Sequence, residues 1–289
     1  MFLLGLGVMK SGTTMVHRSL VRSKALCTGF QKEYHILDHA NFGIRDYFDL
    51  IKAGRNPLFM LRAIVGRIPY LYQLYFLILS WCTKAKWVGD MTPSYGELPK
   101  PVLDKQVVRL RRFGFNVKCL LILREPVTRC FSMVKHLRRY GRTKLRGLDV
   151  SKADLDVMLD VLTIPELERK SRYENICETA KHIEGSECLI LINDTLQEQV
   201  ETVNHFLGIS LKHDAFNERI YTSGEDYQIP DDYFEQVVNH YRETYNYCFE
   251  HFPETKRLWR RAYNILNDRG LDETNYEAST SRSNRGSAS

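Results

Sequence analysis

The chain has 289 residues, 44% of them apolar and 26% charged, and its 41 Lys and Arg against 35 Asp and Glu give a net charge of +6. This excludes a disordered or collagen-like chain and leaves enough apolar material for one large α/β domain. The modest basic excess suits a polyanionic ligand or acceptor.

Phe2–Leu6 reads as a short buried strand, followed by a Gly-rich turn and a helix over Thr13–Arg22. Strand, glycine turn and helix open a nucleotide-binding α/β unit. Gln31–Asp38 reads as a strand end or loop, and Asn41–Ser80 as mostly helical, broken at Pro57 and Pro69. The apolar stretch Tyr70–Cys82 is too short to span a bilayer, and no transmembrane segment is expected. It predicts a buried helix, with a hydrophobic acceptor or membrane-surface face as the other reading. Trp87–Asp90 reads as a strand ending in the turn Met91–Tyr95, Leu98–Phe113 as a helix and Val117–Leu123 as a core strand. Pro126 opens the next helix, where its missing N–H costs nothing. Ser151–Leu162 and Pro165–Ile183 predict helices, Cys188–Ile192 a strand, Leu196–Leu207 a helix ending at Gly208, and Asp231–Phe252 a last helix. Strands alternating with helices predict an α/β, P-loop-like fold with a central parallel sheet flanked by helices. The expected organisation is a single domain over residues 1–277, with a helical, partly apolar insertion at about 41–82. The Ser, Arg, Asn and Gly tail over 278–289 reads as disordered.

Seven cysteines (Cys27, Cys82, Cys119, Cys130, Cys177, Cys188 and Cys248) show no metal-ligand spacing, so no zinc site is expected. Most read as buried thiols of a reducing compartment; a Cys177–Cys188 bridge would need an oxidising one. Met1–Val8 lacks a charged n-region and is not a signal peptide. A full-length chain would be cytoplasmic, and one from which an N-terminal anchor was removed would belong to the Golgi lumen.

The first motif is Gly7-Val8-Met9-Lys10-Ser11-Gly12-Thr13-Thr14. Two glycines flank four residues directly after a strand, so the loop amides and the N-terminus of the next helix converge into an anion cradle. A nucleoside-triphosphate loop carries lysine directly after its second glycine. Here Thr13 stands there, and the lysine is Lys10, inside the loop. From that place it can reach the bridging oxygen of a phosphosulfate, where charge develops as the bond to sulfur breaks.

Lys10-Ser11-Gly12-Thr13-Thr14 after a buried strand resembles the 5′-phosphosulfate loop of the sulfotransferases that use 3′-phosphoadenosine-5′-phosphosulfate (PAPS). The resemblance implies a sheet flanked by helices, as in nucleotide kinases. It implies PAPS as donor, with adenosine 3′,5′-bisphosphate as product, no required metal, and Lys10 to Thr14 holding the 5′-phosphosulfate. The second motif runs from the strand Val117–Leu123 through Arg124, Glu125 and Pro126 to Ser132, eight residues after the arginine. A strand-end arginine sits where open α/β sheets bind ligands, and its fork can share a phosphate with a hydroxyl. The family's 3′-phosphate site has this form, which implies that role for Arg124 and Ser132, with Arg129 a weaker candidate on the same helix.

On the acceptor side stands Gln31-Lys32-Glu33-Tyr34-His35-Ile36-Leu37-Asp38. An attacking hydroxyl or amine must lose a proton, and Glu33 or His35 could take it as a positioned base, with Lys32 stabilising charge alongside. The string resembles the Lys-Glu-x-His-Phe-Phe-Asp segment of the heparan sulfate glucosaminyl (N-/3-O-) sulfotransferases, with Ile36 and Leu37 in place of the paired aromatics. There the glutamate is the base, which favours Glu33; the cytosolic branch uses a histidine. Gly89–Tyr95 resembles the family's Lys-Ser/Thr-Pro-x-Tyr segment, with Asp90 in place of the lysine and Thr92, Ser94 and Tyr95 as cleft residues. Phe206-Leu207-Gly208 matches the end of the family's late strand and helix. The stretch Tyr221–Asp226 corresponds to a nucleotide-closing loop without its lysine, a role that Lys144 or Arg142 could take over.

The leading expectation is therefore sulfuryl transfer to a hydroxyl or amine, on a glycan or on a small hydrophobic or lipid-linked acceptor, with no nucleic-acid partner. A P-loop nucleotide kinase is the first alternative, with Asp194 as its magnesium carboxylate. The second is a non-catalytic polyanion-binding protein using the clusters at Arg109, Arg111 and Arg112 and at Arg138, Arg139, Arg142, Lys144 and Arg146.

Overall fold

The computed structural model describes residues 1–38, 68, 70–139, 144–145, 148–149, 151–217 and 229–267. The helices expected over 41–67, Arg142, the Lys144 side chain, Arg146, the loop 221–226 and the tail 278–289 lie outside the described residues. The chain divides into two compact units, Met1–Arg124 with Asn175–Gly224 and Glu125–Glu174 with Glu225–Ser289.

The first unit is an α/β layer structure. Its strands are β1 (Phe2–Gly7), β2 (Leu26–Cys27), β3 (Trp87–Asp90), β4 (Val117–Leu123) and β5 (Ser186–Ile192), in the order β2-β3-β1-β4-β5. All neighbours run parallel. β1 and, apart from Lys118 near its start, β4 are apolar runs because helices cover both faces of the sheet. Successive side chains of β1 point to opposite faces. Phe2 packs on Tyr72, Phe76 and Phe115, while Leu3 joins the cluster of Val16, Leu20, Trp87, Leu120 and Val203. The buried Trp87 indole donates to the Leu207 carbonyl at 2.9 Å, as an internal N–H must.

Helix α1 (Thr13–Arg22) covers one face, and α2 (Leu71–Cys82) and α3 (Lys100–Arg112) follow in the chain. α2 corrects the expectation of a buried helix. Only Tyr72, Gln73 and Phe76 are buried, while Leu74, Ile78 and Trp81 face outward, Trp81 at 73% exposure. The helix carries no polar stripe to mark its outer side, and its one amide side chain, Gln73, faces inward. The strand order places β1 at the centre, with β3 on one side and β4 on the other. In such sheets the carboxyl ends of the strands beside the reversal point form the ligand crevice. Here they deliver residues 8–12, 91–95 and Arg124.

The second unit is mostly helical, beginning with α4 (Pro126–Arg139) and including Asp154–Leu162, Asp231–His240 and Arg242–His251. Glu125 caps α4: its carboxylate accepts the amides of Val127 at 3.1 Å and Thr128 at 2.7 Å, and the hydroxyl of buried Tyr245. Two helices expected as continuous are broken. Pro165–Ile183 becomes Pro165–Glu168, a 3₁₀ turn at Arg169–Ser171 and Tyr173–Lys181. At the break the Ser171 carbonyl accepts the Thr244 hydroxyl at 3.1 Å, a tertiary bond that local pattern does not encode. Asp231–Phe252 breaks at Tyr241, whose φ of −100° and ψ of 24° leave the helical region.

Candidate active site at the carboxyl edge of the sheet

The loop between β1 and α1 is held from three sides. Val8 N donates to the Ile122 carbonyl of β4 at 2.9 Å, Arg124 Nη1 to the Lys10 carbonyl at 3.1 Å, and Asn193 Nδ2, just beyond β5, to the Ser11 carbonyl at 3.1 Å. Lys10 takes a left-handed φ of 73°, a conformation that costs a non-glycine residue energy and clusters at functional sites. Gly12 is required: its φ is +87° and a Cβ there would lie 2.4 Å from Asn193 Nδ2. α1 opens with no side-chain cap and no acidic residue in its first turn, so the positive end of the helix is left for an anion. Ser11 Oγ is fully buried with no hydrogen-bond partner among the described residues. A buried hydroxyl left this way is costly, and a phosphate oxygen in the loop would satisfy it.

The segment Gln31–Asp38 reaches the same loop. Lys32 Nζ donates to Thr14 Oγ1 at 2.9 Å, to Thr13 Oγ1 at 3.2 Å and to Glu33 Oε1 at 2.8 Å. The other Glu33 oxygen lies 3.3 Å from His35 Nε2, and His35 Nδ1 lies 2.8 Å from Asp38 Oδ2. Ser94 Oγ donates to the same Asp38 oxygen. With a carboxylate at each ring nitrogen, the imidazole is held as a doubly donating cation. Burial lowers the His35 pKa, but the bonds to Asp38 and Glu33 outweigh it and raise it from 6.5 to about 9. Burial likewise works to raise Glu33, and the His35 bond and the Lys32 charge overcome it, holding the carboxyl at about 2. His35 also takes a left-handed φ, of 55°.

Asp90 is the anchor beneath this segment. It is 0% exposed. Its Oδ1 accepts Thr92 Oγ1 at 2.6 Å and Tyr34 N at 3.3 Å, and its Oδ2 accepts Tyr95 OH at 2.8 Å and Tyr72 OH at 3.0 Å. Burial pushes its pKa up to about 6 against these bonds. Thr92 Oγ1 also accepts Tyr34 N at 2.9 Å and His35 N at 3.3 Å, and Tyr95 OH accepts Ile36 N at 3.0 Å. Thr92 and Tyr95 are themselves fully buried; they hold the backbone of 34–36, while Ser94 is half-buried beside Asp38 and His35.

Lys10, Ser11, Gly12, Thr13, Thr14, Lys32, Glu33, His35 and Arg124 thus belong to one unit and one crevice. Ser132 is half-buried on α4, in the second unit. Arg129 is fully buried there, its Nε bonded to Ser171 Oγ. Asn193 escaped the sequence reading, and it is this residue, next to Asp194, that reaches the loop. Its signal was positional: a polar residue at a strand end, like Arg124. All seven cysteines are free thiols. No helix among the described residues is long and apolar enough to cross a membrane.

No family model matches the chain, and no curated protein matches it. Among solved structures, the chain is similar to a sulfotransferase from Alicyclobacillus acidocaldarius, with a TM-score of 0.54 and 18% identity over 84% of this chain and 91% of that one. A sulfotransferase domain from the curacin biosynthetic pathway gives a TM-score of 0.43 and 14% identity over 80% of each chain. The first likeness establishes a shared α/β fold: a central parallel five-stranded sheet flanked by helices.

Proposed function

We propose that the chain moves a sulfuryl group from PAPS to a hydroxyl or amine, most favourably on a glycan. The observation that carries this reading is the bonded path from phosphate loop to acceptor segment, Thr14 Oγ1 to Lys32 Nζ to Glu33 Oε1, with 2.9 and 2.8 Å steps. It couples an anion cradle to an ionised carboxylate through one ammonium. The buried, unpartnered Ser11 Oγ supports a phosphate in the cradle. The Lys10-to-Thr14 motif, with Thr13 where a nucleoside-triphosphate loop carries its lysine, supports the phosphosulfate over a nucleoside triphosphate.

When bound, PAPS supplies the activated sulfuryl group. The chain's residues do the rest. Lys10 and the loop amides hold the 5′-phosphate and neutralise the charge it gains as its oxygen–sulfur bond breaks. Glu33 accepts the proton of the attacking hydroxyl or amine as the new bond to sulfur forms. His35, already a cation, orients Glu33 rather than competing as base. Lys32, drawn towards the transferring group, relaxes its hold on Glu33 and so raises its basicity. Arg124 and Ser132 take the 3′-phosphate, a role that rests on their eight-residue spacing. Asp90, Thr92 and Tyr95 position the acceptor segment from below, with Ser94 at its edge.

The glycan reading, in the manner of the heparan sulfate glucosaminyl branch, rests on Lys32–Asp38. A lipid-linked or small hydrophobic acceptor is the second reading, favoured by the outward Leu74, Ile78 and Trp81 of α2. Radiolabelled PAPS offered with a panel of oligosaccharides, amines and apolar alcohols tests the assignment. Label transfer that disappears in Lys10→Ala supports it, and absence of transfer to every acceptor argues against it.

A further inference from the structure

Helix α2 has one face in the core and one apolar face in solvent. On the inner side Tyr72 and Phe76 pack on Phe2 of β1, and Gln73 Nε2 donates to Gln106 Oε1 of α3 at 3.2 Å. On the outer side Leu74, Ile78 and Trp81 stand four and three residues apart, so they form one stripe, with Tyr70 at its head. All four are exposed, from 42% at Leu74 to 73% at Trp81. With Ile68 they are half of the large apolar side chains exposed among the described residues. Such a concentration marks an interaction surface, whereas apolar residues scattered singly are ordinary.

The chemistry of the stripe selects its occupant. None of the residues of α2 is charged, and the polar side chains between its ends are already engaged. Gln73 bonds Gln106, Tyr75 shares a hydrogen bond with the Tyr34 hydroxyl at 2.9 Å, and Ser80 Oγ donates to the Leu77 carbonyl at 2.7 Å. A protein interface carries about one hydrogen bond per 100–200 Å². This stripe has polar atoms to offer only at its ends, on Tyr70 and Trp81, the residue types that favour the boundary between lipid and water. Cations stand just beyond both ends. Arg109 lies over the Tyr70 ring, 5.9 Å from its centroid, and exposed Arg112 shares the last turn of α3 with it. Exposed Lys84 follows Trp81. Apolar side chains rimmed by Lys and Arg suit a helix lying in an anionic lipid surface.

We propose that this face of α2 docks on an anionic lipid bilayer. Leu74, Ile78 and Trp81 enter the boundary of the acyl chains, and Arg109, Arg112 and Lys84 meet the headgroup phosphates. The inner face of α2 is bonded to the candidate site, through Tyr75 to Tyr34 and through the Tyr72 hydroxyl to Asp90 at 3.0 Å. Docking therefore carries the crevice to the membrane surface. The docking face rests on α2 and its rim alone and holds for any donor or acceptor.

Trp81 reports on docking directly, because the other two tryptophans, Trp87 and Trp259, are buried. The full chain is mixed with vesicles of equal parts phosphatidylcholine and phosphatidylglycerol. The expected results are co-sedimentation, blue-shifted emission and quenching by lipids brominated in the acyl chain. Trp81→Phe should lose the shift and the quenching. Leu74→Ser/Ile78→Ser should bind at least about tenfold more weakly. Lys84→Ala/Arg112→Ala should bind roughly tenfold more weakly to these vesicles and no differently to pure phosphatidylcholine. Circular dichroism and thermal melting check that the variants fold, and quenching of the wild type needs no variant. Wild type that stays in the supernatant, or that sediments without Trp81 quenching, overturns the proposal. So does equal vesicle binding by a folded Leu74→Ser/Ile78→Ser. A concentration-dependent dimer that this double variant dissociates, with no vesicle binding, would overturn it too and give the face to a second copy of the chain.

Discussion

Lys32 Nζ sits 2.9 Å from Thr14 Oγ1, so the side chain that opens the acceptor segment is bonded into the first turn of the phosphate-loop helix. A cation shared by both halves of a transfer site can follow charge as it moves from one to the other. Lys32→Met should therefore reduce turnover by about 10²–10³-fold, the scale of losing one preorganised donor. Folding stability should change by less than about 1 kcal/mol, because this is a partly exposed ion pair. Steady-state kinetics and urea unfolding of the same preparation check both.

The Glu33–His35–Asp38 chain makes stability depend on pH on the alkaline side. His35 has a folded pKa of about 9 against 6.5 unperturbed, so its contribution is complete below pH 6.5 and is lost as pH rises through 9. Urea unfolding should show stability falling across that window by at most about 3 kcal/mol, and His35→Gln should flatten the decline. Glu33, held at about 2, acts at the other end: its contribution fades as pH drops from about 4 towards 2. Glu33→Gln should cut kcat by about 10²–10⁴-fold with little change in donor binding. A milder loss there than in His35→Gln would reverse the assignment of base.

Asp90 offers a test of the support beneath the site. Asp90→Ala would leave Tyr72, Tyr95 and Thr92 hydroxyls buried without their acceptor, and should cost roughly 2–4 kcal/mol. Asp90→Asn keeps the shape and removes a buried charge, and should stay within about 1 kcal/mol of wild type. The carboxyl's raised pKa, about 6 against 3.8, means that stability is lost as pH rises from 3.8 to 6, a slope absent from Asp90→Asn. Chemical denaturation at pH 4.5 and 7 measures it.

The thiols give a simple check of the packing. Cys82 is exposed, Cys27 and Cys188 are intermediate, and the other four are buried. One rapid equivalent should react with a disulfide reagent in the native protein and seven after denaturation. Thermal unfolding should be indifferent to reductant.

Much of this was readable from the residues, and what was hidden has a common cause. β4 stands at Val117–Leu123 as its apolar run predicts, and α1 at Thr13–Arg22, because both signals are local. Lys32 and Glu33 were legible as chemistry, but the bond from Lys32 to Thr14 was not. The role of Asp90 was not legible, since beside its near neighbours Thr92 and Tyr95 it depends on Tyr34 and Tyr72, which the fold brings from other parts of the chain. β2, two residues long, is too short for any periodicity. The outward side of α2 was hidden because its outward residues Leu74, Ile78 and Trp81 are apolar while the polar Gln73 faces inward.

The account stands or falls most directly on nucleotide preference. Calorimetry should show the wild-type chain binding adenosine 3′,5′-bisphosphate at least tenfold more tightly than adenosine 5′-monophosphate or ATP with magnesium, and Arg124→Ala should erase that preference. Equal affinity for all three nucleotides, or tighter binding of ATP with magnesium, would contradict a PAPS-using transferase and return the phosphate loop to kinase-like chemistry.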